Sequence, residues 1–407
     1  MAAQVQNHVI ADVPPGVPTP TGVLSAPIAQ RPKSAATPKK KLIRRTYRDY
    51  SQITRRSFQG AFLLLNVWIG VVFYRWVRQF EPGGPTTSLH RPAGVEGWLP
   101  IAALMNLKYF IFARRVPALH PAGMFLLIAF LAISFLFRKA FCSWLCPVGT
   151  ISEYLWMAGR KLFRRNFQLP RWLDIGLRGL KYFLLGFFVW AVSSMAIDEL
   201  AAFMASPYGL IADVKMLNFF RHLGETDAIV LGVLVVASLF VQNFWCRYLC
   251  PYGALMGIVS LASPVRIRRN PETCIDCAKC AKACPSVLPV DKLVTIKSAE
   301  CTGCLECVAI CPAKDALSLT LPTIPSGAFL GNTAFGEGVI TKKALPLTPR
   351  APRVPTWAMA AGIAALFFGI VGFAKSAGYW DSHVPRAVYE QLVPNADQAR
   401  HPMPGEQ

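Results

Sequence analysis

Five stretches of the chain are apolar nearly throughout: 60–77, 122–137, 182–197, 228–241 and 356–374. Helped by Arg75 snorkelling outward, the first of them nearly crosses a hydrocarbon core of ~30 Å. The shorter ones gain length from apolar or aromatic flanks such as Phe141, Phe244 and Trp245. Lipid supplies no hydrogen bonds to a backbone, so each such segment has to be a helix. The pattern predicts a mainly α membrane protein of about five transmembrane helices, four of them in a core over 57–263 and a fifth at 355–375.

A further apolar stretch, 99–113, starts at a proline, contains Asn106 and Lys108 and is only fifteen residues long. Counting it as a span would invert the topology downstream, and short stretches suit an interfacial or re-entrant helix better. Loop charge fixes the expected orientation. Segment 138–181 carries nine Lys and Arg, whereas 198–227 carries only Lys215 and Arg221. The first is therefore expected in the cytoplasm and the second in the periplasm of a bacterial inner membrane, with the N-terminus inside and a tail, 376–407, outside.

Composition agrees with lipid as the surroundings. Of 407 residues 53% are hydrophobic and 16% charged, too apolar for a soluble surface. A net charge of +21 would suit nucleic acid if the cations lined one surface, but they bracket the apolar runs, so no nucleic-acid partner is expected. Residues 1–56 form a basic arm whose first forty positions are rich in Pro, Ala and Thr, too poor in large apolar groups to order themselves. Arg55-Arg56 resembles a twin-arginine export signal, yet no small-residue cleavage site follows, and a basic flank that holds the first helix end inside explains it better.

The chemistry lies in the cysteines. Cys274, Cys277, Cys280 and Cys284, then Cys301, Cys304, Cys307 and Cys311, each follow C-x2-C-x2-C-x3-C-P. Bacterial ferredoxins use this spacing to hold two [4Fe-4S] clusters, the fourth cysteine of each run crossing to the other cluster. Cluster one is assigned to Cys274, Cys277, Cys280 and Cys311, and cluster two to Cys301, Cys304, Cys307 and Cys284. A tetrahedral zinc site does not need three cysteines at three-residue intervals plus a distant fourth. An α+β ferredoxin module is expected over 264–321, with β-like runs at 293–297 and 317–321 and a Pro/Gly linker over 322–354.

The other four cysteines form an internal repeat, Phe141-Cys142-Ser143-Trp144-Leu145-Cys146-Pro147 and Trp245-Cys246-Arg247-Tyr248-Leu249-Cys250-Pro251. Spacing i, i+4 predicts both thiols of a copy on one helix face, with Pro and Gly ending the helix. Side by side, the copies would offer Cys142, Cys146, Cys246 and Cys250 to one metal, Cu(I), Zn or another iron centre. The alternative is four small apolar residues where helices meet. His90, His120 and His222 fall on the periplasmic side, where ordinary hydrogen bonds fit better than haem ligation. Asn66 reads as helix-packing glue.

The doubled C-x3-C-P on span ends, followed by a two-cluster ferredoxin, resembles the NapH, NosR and CcoG group of membrane polyferredoxins over about residues 57–321. The core is most similar to NapH-like and YccM-like electron transport proteins. The resemblance implies an integral membrane carrier, an oxidoreductase subunit rather than a stand-alone catalyst. It would pass electrons from the quinol pool through two [4Fe-4S] clusters to a respiratory reductase or other redox protein, with a quinone as a further bound partner. The CcoG-like alternative is a copper reductase or assembly factor using the C-x3-C-P thiolates. A redox-sensing regulator is the remaining reading.

Overall fold

The computed structural model describes residues 42–46, 49–84, 89–164, 166–167, 169–322 and 352–402, and is mostly helical. Each apolar run became a helix. In chain order the helices are α1 (Ser51–Arg78), α2 (Pro100–Ala113), α3 (Pro121–Leu136), α4 (Ala140–Trp144), α5 (Pro147–Phe163) and α6 (Arg171–Ser194). They continue with α7 (Ile197–Ala205), α8 (Pro207–Leu210), α9 (Ala212–Arg221), α10 (Glu225–Phe240) and α11 (Pro251–Ser260). Strand β1 (Arg266–Arg269), helices α12 (Lys279–Ala283) and α13 (Glu306–Ala309) and strand β2 (Leu317–Thr320) form the cysteine-rich module. Helices α14 (Thr356–Ser376) and α15 (Arg386–Leu392) follow.

Among the described residues three helices are long and apolar enough to cross a membrane, α1, α6 and α14, and a fourth candidate is α9 with α10, bent by 82°. Helices α2 and α3 are apolar but shorter. The surfaces suit lipid: Trp172, Phe183 and Trp190 of α6, and Ile229 and Val233 of α10, stand out from the protein. Helix α3 is the axis of the bundle, packed against α2, α11 and α14, with Ala122, Met124 and Ile133 fully buried. Phe130 stacks on Phe141 at 3.9 Å, and Phe62 meets Phe367 edge-on at 5.0 Å. Helix α5 lies against α10 at backbone contact, since a Cβ on Gly159 would stand 1.8 Å from the Leu239 carbonyl oxygen.

Helix α2, the 99–113 stretch, packs on α3, α6 and α7. Its Asn106 donates to the carbonyls of Leu119 (2.8 Å) and His120 (2.9 Å). Its Lys108 donates to the carbonyls of Val192, Ser193 and Met195, capping the C-terminus of α6. Asn66 donates to the Phe62 carbonyl and accepts from Trp98 Nε1 (3.1 Å), so it holds the turn Ala93–Trp98 against α1.

Several sequence expectations are corrected. The basic arm does not reach residue 56: α1 begins at Ser51, and residues 42–46 lie along the cysteine module, where Arg45 donates to the Val308 and Ala309 carbonyls. Residues 1–41 lie outside those described, as do 323–351 of the linker. The run 293–297 is not a strand; only Thr295 makes an isolated bridge, to Arg268. The partner of β2 is the charged segment Arg266–Arg269, antiparallel, with Ile267 opposite Leu319. The described part of the tail packs back on the helices. Tyr389, Val393 and Ala396 pack with Phe73, Trp76 and Val77 of α1 and with Ile211 and Val214.

Candidate iron-sulfur sites

All twelve cysteines are free, and the structure sorts them into three groups. Cys284, Cys301, Cys304 and Cys307 line one cavity of about 20 Å³, walled by Ile267, Leu288, Val290 and Ile296. These are the four assigned to cluster two from spacing. Cys311 lies close enough to Cys277 and Cys274 for their charges to raise its thiol pKa, after burial itself. Cys280 in turn feels Cys311, so the cluster-one set also gathers. Burial pushes the Cys304 thiol up to about 12 and the Cys280 thiol to about 11. Protons on these sulfurs would have to leave as a cluster binds.

The two runs repeat one backbone pattern. Asp276 and Ala278 flank Cys277 at φ 54° and 56°, and Gly303 and Leu305 flank Cys304 at φ 63° and 59°. Left-handed non-glycine residues are uncommon and cost energy, so their recurrence at equivalent positions marks a loop shaped around something. The sets differ in exposure: Cys277 is exposed, whereas Cys284, Cys301 and Cys307 are buried.

The module is gripped by the helices on its cluster-two side. Arg55 of α1 forks onto Glu153 of α5 at 2.7 Å through each of two nitrogens and reaches Glu306 at 3.0 Å. Gln52 donates to the Cys304 carbonyl, Ser143 to the Thr302 carbonyl (2.6 Å), and Trp144 Nε1 to the Gly303 carbonyl (3.3 Å). Lys181 of α6, wholly buried, meets Glu300 at 2.6 Å, and Arg138 donates to the Ser298 carbonyl. Burial alone would raise the Glu300 carboxyl; Lys139 and Lys181 outweigh it and hold the carboxyl below its usual range.

The C-x3-C-P copies fold differently from a helix that carries both thiols and stops at proline. Cys142 lies in α4, the chain breaks, and Cys146 is the N-cap of α5 with Pro147 at its first turn. Cys246 likewise lies in a π-helical turn, Trp245–Leu249, and Cys250 caps α11 ahead of Pro251. Proline therefore starts a helix, where its missing N–H is harmless and its fixed φ is already helical. Each cap sulfur accepts a backbone N–H, Cys146 from Gly149 at 3.4 Å and Cys250 from Gly253 at 3.2 Å. All four thiols line one cavity of about 60 Å³. Burial pushes Cys142 up to about 11 and Cys146 to about 12.

Sequence reasoning missed Lys139, which enters this cavity; its signal was a Lys just before the first C-x3-C in a segment already crowded with cations. It also missed a buried ion network at the far end of α3. Arg91 binds Asp213 (2.8 Å) and Glu96 (2.7 Å), Glu96 faces His120 Nδ1 at 3.4 Å, and His120 Nε2 meets the Gly209 carbonyl at 2.9 Å. Ser382 donates to Glu96 at 2.9 Å. His120 is thus committed to hydrogen bonds, and neither His90 nor His222 takes part in the network.

Paired C-x3-C-P hairpins joined to a doubled cluster-binding module define a membrane polyferredoxin of the NapH/NosR type, and the chain belongs to that family. The 4Fe-4S binding domain family matches twice, at residues 119–170 and 228–270, once on each hairpin. The 4Fe-4S dicluster domain family matches residues 266–312. A relative from Escherichia coli, the putative electron transport protein YccM, is 48% identical over 347 residues, 85% of this chain and 91% of that protein. The ferredoxin-type protein NapH of Haemophilus influenzae is 28% identical over 53% of this chain and 74% of its own length. The regulatory protein NosR of Pseudomonas aeruginosa is 34% identical over 52% of this chain but only 30% of its own length. No solved structure matches the chain.

Proposed function

We propose that the chain is an integral inner-membrane electron carrier that takes electrons from the quinol pool and passes them through two [4Fe-4S] clusters to a respiratory reductase or a similar redox protein. The observation that carries this reading is the docking of the cluster-two cavity on the helix ends. The loop 298–306 is held by α1, the first hairpin and α6 through buried ion pairs and backbone contacts. A module tethered as a mobile shuttle would not need such a grip; a fixed relay would. Cluster one, with Cys277 exposed, would be the edge that meets a soluble partner.

In this reading the five apolar helices α1, α3, α6, α10 and α14 cross the bilayer, α2 lies at the outer interface, the clusters face the cytoplasm and residues 376–402 face the periplasm. The charge asymmetry of the loops supports that orientation. A quinol gives up two electrons with two protons, and two one-electron clusters side by side accept them singly.

The test is anaerobic purification of the full chain, iron and sulfide analysis, and EPR before and after addition of a quinol analogue. About eight irons in the ferredoxin module, with signals that appear on quinol addition, are expected on the two-cluster ligation pattern. Clusters that dithionite reduces but quinol does not would refute the donor; an iron-free preparation would refute the carrier.

A further inference from the structure

A groove of about 580 Å³ is shared by three stretches of the chain. It is lined by Cys277 and Lys279 of the first cysteine run, Ile310 and Cys311 of the second, and Arg44 and Arg45 of the segment ahead of α1. Two of these residues, Cys277 and Cys311, belong to the cluster-one set. Backbone bonds fix the early segment in place: the Arg45 N–H donates to the Pro312 carbonyl at 3.0 Å, and the Lys314 N–H donates to the Ile43 carbonyl at 2.9 Å.

Most carboxylates around the groove are already spent. Asp49 pairs with Arg45 at 2.9 Å, Asp276 with Arg269 at 3.3 Å, and Asp315 with Arg353. Arg44, Lys279, Lys282 and Lys314 are exposed and, among the described residues, make no ion pair. Lys282 stands one helical turn after Lys279 and so shares its face of α12. Only Glu272 and Asp291 offset these four, so the unspent charge is positive. The cations flank an apolar patch, since Ile43 is 63% and Ile310 47% exposed. An apolar centre with a charged margin at an exposed cluster ligand has the build of a small, short-lived electron-transfer contact.

The sign of the charge selects the occupant. A second copy of this chain carries a net charge of +21 and is repelled. The chain's own residues 1–41 hold five Lys and Arg against one Asp, so they bring the same sign. We propose that the groove is the docking face for an acidic one-electron carrier protein, seated on Cys277 and Ile310 and steered by Arg44, Lys279, Lys282 and Lys314. This assignment rests on the carrier reading and names the partner class at its exposed edge. In each encounter the cluster-one set loses one electron and the partner gains one; no proton moves and no bond to this chain changes. The cations act on the rate of encounter, and salt cancels them as the Debye length falls from ~30 Å at ~0.01 M to ~3 Å at ~1 M.

The experiment uses two soluble one-electron oxidants of opposite charge, plastocyanin, an acidic blue-copper protein, and cytochrome c, a basic haem protein. Anaerobically purified full-length chain is reduced with dithionite, freed of excess and mixed with each in a stopped-flow instrument. In parallel, the chain is treated with plastocyanin and a carbodiimide, which joins lysine to carboxylate only at contact distance, and the joined lysines are read by mass spectrometry. Plastocyanin is expected to be reduced faster at low salt. The triple variant Lys279→Gln, Lys282→Gln, Lys314→Gln should slow that reaction about tenfold at ~0.01 M salt and leave it unchanged at ~1 M. Cytochrome c should lose no rate in the variant. Cross-links should fall on Lys279, Lys282 or Lys314. A triple variant that reduces plastocyanin at the wild-type rate overturns the proposal, as do cross-links confined to other lysines. Should the variant lose its ferredoxin EPR signals, the cross-link map of the wild type decides. Because cross-linking needs no electron transfer, it judges the docking face separately from the carrier reading, which an iron-free preparation would sink on its own.

Discussion

Arg55 is the sharpest place to test whether the cysteine module is fixed to the helices. Its side chain is 1% exposed and neutralises Glu153 and Glu306, whose side chains are 13% and 26% exposed. Arg55→Met keeps the apolar stem and removes the guanidinium. Breaking a fully buried pair costs roughly 3–5 kcal/mol; partial wetting of both carboxylates reduces that here to about 2–3 kcal/mol. Two contacts limit the damage: Gln59 still donates to Glu153 at 2.8 Å, and Arg56 stands 4.0 Å from Glu306. A loss of about 2–3 kcal/mol shifts the docking equilibrium by roughly 30- to 150-fold. Hydrogen exchange read by mass spectrometry should show residues 301–307 opening faster by about that factor, with the middle of α3 unchanged. Adding Glu153→Gln and Glu306→Gln to Arg55→Met should recover part of the protection, since no carboxylate is then left unpaired. Unaltered exchange at 301–307 in Arg55→Met would show that the ion pairs do not hold the module, and the fixed-relay argument would go with them.

Three further outcomes follow from the same geometry. Gly159→Ala should lower thermal stability by about 1–3 kcal/mol, because its methyl would run into the Leu239 carbonyl and push α5 off α10; an unchanged melting temperature would contradict that contact. Gly149→Ala, whose Cβ would stand 2.3 Å from the Cys142 carbonyl oxygen, should distort the first hairpin and cost about 1–3 kcal/mol of stability, whereas Gly253→Ala, with nothing nearer than 3.6 Å, should cost much less; equal melting temperatures for the two variants would refute the asymmetry. Burial alone would raise the Glu153 carboxyl, but Arg55 and Gln59 hold it below 4.5, its ordinary value, so the folded state favours the ionised form. Its contribution to folding stability, made between α1 and α5, is complete above about pH 4.5 and is lost as pH falls through the depressed folded value. Burial pushes Glu306 the other way, so the check is Glu153→Gln, whose thermal stability should fall less steeply than that of the wild type as pH drops below about 4.5; an identical fall in both would refute the pairing.

Most of the helical frame was legible because lipid leaves an apolar run no choice but helix: all five runs became α1, α3, α6, α10 and α14, within a few residues at the C-terminal ends. The N-terminal ends were less visible. Ser51–Gln59 and Arg171–Lys181 are helical despite their charges, since those charges are spent on the module through Arg55, Arg178 and Lys181. Strand β1 was hidden for a similar reason. Arg-Ile-Arg-Arg has one apolar residue, and its pairing with β2 is visible only when the far strand is known. Spacing grouped Cys284 with Cys301, Cys304 and Cys307, and those four line one cavity. The hairpin turn did not follow from spacing, because proline stops one helix and begins another with equal ease, and only the N–H bonds to Cys146 and Cys250 show which it does. Lys139 was beyond reach, as a cation is read as loop charge until its burial is seen.

The outer ion network gives the chain an unusual order of assembly. Phe73 and Trp76 belong to α1, yet part of their cover comes from Tyr389, and Glu96 receives a hydroxyl from Ser382, 286 positions later. Until residues 382–396 emerge, α1 carries bare aromatic rings at one end and Glu96 of the turn Ala93–Trp98 is short of a donor. Closure of so long a loop is slow compared with local helix growth. A truncation at residue 375 would therefore remove little mass but leave the end of α1 and the turn at Glu96 without their cover.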